Sequence, residues 1–253
     1  MRQHFYLQLE LDKLSEEREP LTYVLSKLRV PDNDFPKKFL QTGHSFVTAG
    51  YFVSYEADED IEKIVSLCVQ EKWGDVANLD ADFLLFHFDA KTRQISILTS
   101  HAGKFPCYFH VGPSKLVVST SFYEVFQSVK TPELDIERTL EFIYRDTHVS
   151  DKTLVKDLFL LYPGAVGHFT KKRALVRPLL KTGEFLAHTP ARYTSLEAFS
   201  EEFLKSLDRI IGLHLKKIGG IQYCSEISSG FDSSLISYLL QKTPAIPWLA
   251  IHK

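Results

Sequence analysis

Hydrophobic and polar positions alternate over much of the first two-thirds of the chain. The stretches HFYLQLEL (4–11), SFVTAGYFVSYE (45–56), DFLLFHFD (82–89), QISILTS (94–100), CYFHVG (107–112) and KLVVSTS (115–121) are rich in β-branched and aromatic residues. Their partial period of two predicts strands. The pieces between them, such as DAKTR (89–93) and GPSK (112–115), are turn-like and suit antiparallel hairpins. Two stretches change to a helical period. In 59–74, Ile61, Ile64, Val65, Cys68 and Val69 share one face, and in 135–146 Ile136, Leu140 and Ile143 do the same. Sheets with interspersed helices predict a layered α+β domain.

Between 170 and 194 the pattern changes. A basic segment, KKRALVR (171–177), is followed by Pro178 and Pro190 with few apolar runs, which predicts a domain boundary there. A long amphipathic helix is then expected from about Thr194, with Thr194 and Glu197 at capping-box spacing. Its apolar stripe is Leu196, Phe199, Phe203, Leu207, Ile210 and Leu213, and Gly219-Gly220 ends it. The remainder reads as strand IQYCSEI (221–227), loop SSGFDSS (228–234), helix SLISYLLQK (234–242) and strand PWLAIHK (247–253), a unit of the parallel α/β type.

Composition narrows the classes. With 253 residues, 44% hydrophobic and 25% charged, the chain is globular and large enough for one sizeable domain or two modest ones. No run nears the ~20 apolar residues of a membrane span, and the start MRQHFYLQLELDK lacks the profile of a signal peptide. A cytoplasmic protein without a membrane partner is the expectation. Thirty Lys and Arg against 32 Asp and Glu leave a net charge of -2 and no dense basic segment, so nucleic acid is not an expected partner. Cys68, Cys107 and Cys224 are too far apart for a zinc site and read as buried free thiols. The histidines form no HExxH pair, so His87, His101 and His110 read as ordinary strand or loop residues and no structural metal is expected.

The loop at 228–234 carries the most chemistry. Small residues between a strand and a helix let the backbone approach an anion, and the helix N-terminus adds partial positive charge. Ser228, Ser229, Ser233 and Ser234 supply hydroxyls, Gly230 permits a tight turn, and Asp232 either caps the helix or helps hold a magnesium ion between phosphates. Neither a Walker A nor a GxGxxG pattern occurs. The same residues also describe a Ser/Asp-capped helix with no ligand, and both readings stand at this point.

The loop resembles the PP-loop of ATP pyrophosphatases, SGGxDS, read here as Ser228-Ser229-Gly230-Phe231-Asp232-Ser233. One glycine position is taken by Ser229, whose Cβ would lie near the pyrophosphate. Three stretches upstream resemble the asparagine synthetase family, in which a glutaminase-like domain of the N-terminal-nucleophile fold precedes a PP-loop domain. They are WGDVANLDADFLLFHFD (73–89), SHAGKFPCYFHVGPSKLVVSTSFYEV (100–125), similar to the RDRxGxxPLYY segment and the serine-glutamate turn after it, and TLVKDLFLLYPGAVGHF (153–169), where a Pro-Gly turn leads into the last strand before the linker. Read from the residues alone, Gly103-Lys104-Phe105-Pro106 is a turn, Tyr108 and Phe109 pack a sheet, and Pro163-Gly164 is a type II turn. The four stretches occur in family order across 73–253.

The resemblance implies an α+β N-terminal-nucleophile-like domain over 1–185, then the start of an α/β PP-loop domain over 193–253. It implies ATP and Mg2+ as cofactors, with Ser228, Ser229, Gly230, Asp232 and Ser233 at the phosphates, Asp232 also at the metal, and Ile227 and Ile251 against adenine. An apolar residue at a strand end serves equally as core. The implied reaction adenylates a carboxylate, releases pyrophosphate and closes an amide with an amine. A working glutaminase domain also needs a cysteine after the initiator methionine, whose α-amino group serves as base. This chain begins Met1-Arg2, and Ser100-His101 replace the arginine-aspartate of the RDRxG segment. Glutamine hydrolysis is therefore not expected, as in β-lactam synthetases and lasso-peptide cyclases. Because only one crossover of the second domain is present, the chain alone is expected to be inactive, leaving a homodimer or a partner chain to supply the rest. The alternative is a noncatalytic binding or regulatory relative. An RNA-thiolating enzyme shares the loop but needs a basic surface.

Overall fold

The computed structural model describes residues 5–16, 20–29, 37–41, 44–52, 59–77, 79, 81–101, 103–145, 152–171, 173–179, 195–218, 223–227, 230–241 and 248–252. The chain divides into two compact units, Met1–Leu186 and Ala187–Lys253.

The first unit runs β1 (Tyr6–Glu10), α1 (Leu11–Glu16), α2 (Pro20–Lys27), β2 (Leu28–Arg29), β3 (Lys37–Gln41), β4 (His44–Phe52), α3 (Glu59–Val69) and α4 (Trp73–Ala77). It continues with β5 (Ala81–Asp89), β6 (Gln94–Thr99), β7 (Cys107–Val111), β8 (Lys115–Ser119), α5 (Phe122–Phe126), α6 (Ile136–Arg145), β9 (Leu158–Leu161), β10 (Ala165–Thr170) and β11 (Arg173–Pro178). Two antiparallel sheets result, ordered β2-β1-β8-β7-β9 and β11-β10-β6-β5-β4-β3. Their inner faces meet in one core, where Leu7, Leu9, Phe109 and Val118 of one sheet pack with Leu84, Phe86, Ile97 and Phe169 of the other. Outside the six-stranded sheet, Phe83, Leu85, Leu98 and Val166 pack under Ile64 and Cys68 of α3 and Trp73 and Val76 of α4. Outside the five-stranded sheet, Val117 and Leu158 pack on Val125 of α5. The unit is thus an αββα sandwich, the layering implied by the family resemblance. It also explains β5: with both faces covered, DFLLFHFD has no solvent-facing side to make it alternate.

Several expectations are corrected. The helix expected over 59–74 ends at Val69, because Glu71 takes φ 57. There Lys72 N–H bonds to Leu67 O and Glu71 N–H to Cys68 O, the paired bonds of a Schellman stop, before α4 starts afresh. Val69 is exposed rather than core-facing. Ile136, Leu140 and Ile143 of α6 share a face, but that face is exposed. The segment assigned to the boundary contains β11, an edge strand paired along its whole length with β10, so the Pro-Gly turn leads into the penultimate strand of the sheet. Its basic residues fit a sheet edge, where charge discourages further pairing.

The second unit comprises α7 (Leu196–Ile218), β12 (Tyr223–Ile227), α8 (Phe231–Gln241) and β13 (Trp248–His252). β12 and β13 pair in parallel across α8, the strand-helix-strand order expected from the pattern. Helix α7 begins one residue later than the capping-box reading, since Ser195 Oγ accepts from Ala198 N–H at 3.1 Å. Thr194 and Gly219-Gly220 lie outside the described residues. The expected stripe of α7 leaves Leu196, Phe199, Phe203 and Ile210 exposed, while Leu207 and Leu213 are half-buried. Among the described residues, no helix is long and apolar enough to cross a membrane.

Candidate functional site

The loop singled out in the sequence lies where β12 hands over to α8. Three residues, 228–230, separate the last residue of the strand from the first of the helix. Ser228 and Ser229 are outside the described residues. Helix α8 starts at Phe231, three residues earlier than expected, so Asp232, Ser233 and Ser234 belong to its first turn. Asp232 is exposed. The hydroxyls of Ser233 and Ser234 donate to Gly230 O at 3.1 and 2.9 Å, turned back onto the helix's own backbone, so a ligand would compete with those bonds. Ile227 and Ile251 both stand at carboxyl ends of adjacent parallel strands. The register pairs Ile227 with His252 and Glu226 with Ile251, so the two are one residue out of step.

In the first unit, the stretches that carry the family resemblance meet in space. Ser100 O accepts from Gly103 N–H at 3.2 Å and from Gly164 N–H at 3.0 Å, tying the SHAGKFP turn to the Pro-Gly turn. Gly164 takes φ +64, which the turn requires and glycine alone adopts cheaply. His101 Nδ1–H reaches Ala77 O at 3.3 Å. The serine-glutamate turn is built by Ser119, buried, whose hydroxyl lies 2.8 Å from Phe5 O and 2.5 Å from Glu124 Oε2. Arg29 sits 3.7 Å from Glu124 and 4.2 Å over the Tyr6 ring. These contacts lock β1 to the start of α5. Met1 and Arg2 lie outside the described residues. Cys68 and Cys107 are buried free thiols, Cys68 pushed up to about 12 by burial and Cys107 pushed up further by the same cause. Neither is a nucleophile.

Sequence reasoning missed a polar row across the outer face of the six-stranded sheet. The registers Phe46↔His87, His87↔Ser96 and Ser96↔His168 align one residue from each of four neighbouring strands. His87 is buried, its Nε2 3.1 Å from His44 Nδ1 and its ring stacked on Phe46 with centroids 4.6 Å apart. Burial, and then the neighbouring His44, lower its pKa to about 4. His168 Nδ1 lies 2.9 Å from Ser96 Oγ and 3.1 Å from Gln94 Nε2, and burial, then Arg177, lower it to about 4. Trp73 stands against both rings at 5.6 Å. His87 is a buried strand residue, as expected, and His110 donates to Asp157 O and holds a turn. The signal for the row is register, which is not written in local spacing. Among the described residues, no group of three His, Cys, Asp or Glu side chains could hold a metal.

No protein-family model matches the chain, and neither does any curated protein sequence. Among solved structures it is similar to a glutamine phosphoribosylpyrophosphate amidotransferase from B. subtilis complexed with ADP and GMP, at TM-score 0.36 and 11% identity over 91% of this chain and 53% of that one. It is similar to an allosteric regulatory enzyme of purine biosynthesis at TM-score 0.37 and 12% identity, covering 98% of this chain and 59% of that one. A glutamine aminotransferase class-II domain protein from Silicibacter pomeroyi matches at TM-score 0.37 and 11% identity, covering 70% of this chain and 98% of that one. The chain spans little more than half the length of the first two.

Proposed function

We propose that this chain belongs to an asparagine-synthetase-like, ATP-dependent amide-forming ligase whose N-terminal domain no longer hydrolyses glutamine. The observation that carries the reading is the position of the Ser/Gly/Asp loop. It follows the carboxyl end of β12 in a parallel strand-helix-strand unit and opens helix α8. Ligands of open α/β sheets bind at such strand ends, and phosphates favour helix N-termini. In this reading the substrate carboxylate attacks the α-phosphorus of ATP, pyrophosphate leaves, and an amine then attacks the acyl carbon and expels AMP.

Ser228, Ser229, Gly230 and Ser233 would surround the departing pyrophosphate, and Ile227 and Ile251 would border adenine. Asp232 fits a magnesium ion: one exposed carboxylate beside the phosphate loop is what such an ion takes from protein, with phosphate oxygens and water completing its shell. The metal would supply charge neutralisation at the β- and γ-phosphates. In this reading the amine comes from the substrate; neither buried thiol of the first unit, Cys68 or Cys107, is placed to attack glutamine.

The test is carboxylate-dependent release of pyrophosphate from magnesium-ATP by the full-length protein over a panel of carboxylates. Asp232→Ala is expected to lower it at least about a hundredfold. Undiminished turnover in that variant overturns the reading, and ammonia release from glutamine overturns the assigned source of the amine.

A further inference from the structure

At the β10–β11 corner of the six-stranded sheet, a surface groove is lined by Glu71, Gln94, His168, Thr170, Arg173 and Arg177. A second hollow adjoins it and shares Arg177. Both arginines project from the exposed edge strand β11, and strand alternation places 173 and 177 on one face. Thr170 pairs with Arg173, and His168 stands one step further along β10 opposite Leu175, so this is the end of the polar row described above. Although Glu71 lines the same groove, among the described residues no ion pair includes either arginine. Among the described residues, then, two cations face a hollow that holds one carboxylate, Glu71, and neither is ion-paired with it.

His168 adds a donor. The Gln94 amide nitrogen beside its Nδ1 can only donate, so Nδ1 accepts, and the neutral ring carries its proton on Nε2. The ring is neutral at physiological pH, because burial and the nearby Arg177 disfavour its charged form. It presents an N–H with no charge of its own.

We propose that this corner is a binding site for a phosphate-bearing small molecule, with Arg173 and Arg177 on separate phosphate oxygens and His168 Nε2–H on a third. The shape of the anion decides between classes. The arginine backbones stand roughly 13 Å apart along the strand at about 3.3 Å per residue, so their guanidinium groups approach from different directions. A tetrahedral dianion offers oxygens to both, while a planar carboxylate is satisfied by one guanidinium fork. If the arginines only guard the edge strand against pairing, no saturable binding follows.

The site does not involve the loop of the second unit, and the experiment separates the two. Inorganic phosphate is titrated into the full chain at constant ionic strength while the His168 imidazole is followed by NMR, with acetate as the parallel titrant. Phosphate is expected to move the His168 resonance saturably, and an anion beside Arg177 to raise the imidazole pKa. Arg173→Gln and Arg177→Gln are each expected to weaken binding about tenfold, or about 1.4 kcal/mol. Asp232→Ala and the distant Arg145→Gln leave it unchanged. A silent His168, equal response to acetate, or wild-type affinity in both groove variants overturns the proposal.

Discussion

A methyl group at Gly103 has nowhere to go. The residue takes φ +64, and a Cβ built there would lie 2.4 Å from Pro163 Cγ and 2.9 Å from Pro163 Cβ. Gly103→Ala combines left-handed backbone strain with a clash at the junction of two turns. The expected loss is about 2 to 4 kcal/mol, read as a lower urea midpoint; an unchanged midpoint would show that the Pro163 turn yields. His87 gives a pH dependence. Its folded pKa of about 4 lies below the 6.5 of a free imidazole. Between these values the unfolded chain binds a proton that the folded chain does not, so stability rises with pH. The contribution is complete above pH 6.5 and lost as pH falls to 4, amounting to about 3 kcal/mol for this buried ring. Urea unfolding from pH 7 to 4 should show that slope, flattened in His87→Leu, with His168 contributing in the same direction. Gly103 was visible in the sequence as a turn residue. The histidine row was not, because its members are brought together by strand register alone.

Elements were more legible in kind than in extent. Period-two patterns located β1 and β4 to β8 to within a few residues, because side chains on the two faces of a strand meet different surroundings. Helix ends were harder, since one or two hydrogen bonds decide them. Ser195, with its hydroxyl on Ala198 N–H, caps α7, so Ser195→Ala should cost about 1 kcal/mol in the second unit while Thr194→Ala costs little. Helical content followed through a urea titration distinguishes them, and a larger effect at Thr194 would restore the earlier start. Strand β11 was hidden by its own chemistry. Arginines, a proline and an exposed burial pattern look like a linker until β10 is seen pairing with all six residues. On α6 the apolar stripe is a true helical face, and periodicity cannot say that nothing in the described chain covers it.

At the scale of the whole molecule, the first unit owes its form to two sheets that each need a partner. Phe5, the residue that leads into β1, and Phe86 of β5 share one core with ring centroids 6.3 Å apart, and helices close the outer faces. The second unit is a parallel strand-helix-strand element with a Ser/Gly/Asp loop at the strand's carboxyl end. By itself the sequence located most strands of the first unit and the parallel strand-helix-strand order of the second, and it left Cys68 and Cys107 without partners, because each is a matter of spacing along a few residues. Only the tertiary structure decided that the sheets stack, that β11 completes the six-stranded sheet, that His44, His87 and His168 share a face, and that two arginines open onto a hollow beside them. Those depend on register and on which faces meet, and both are set by contacts between residues far apart in the chain.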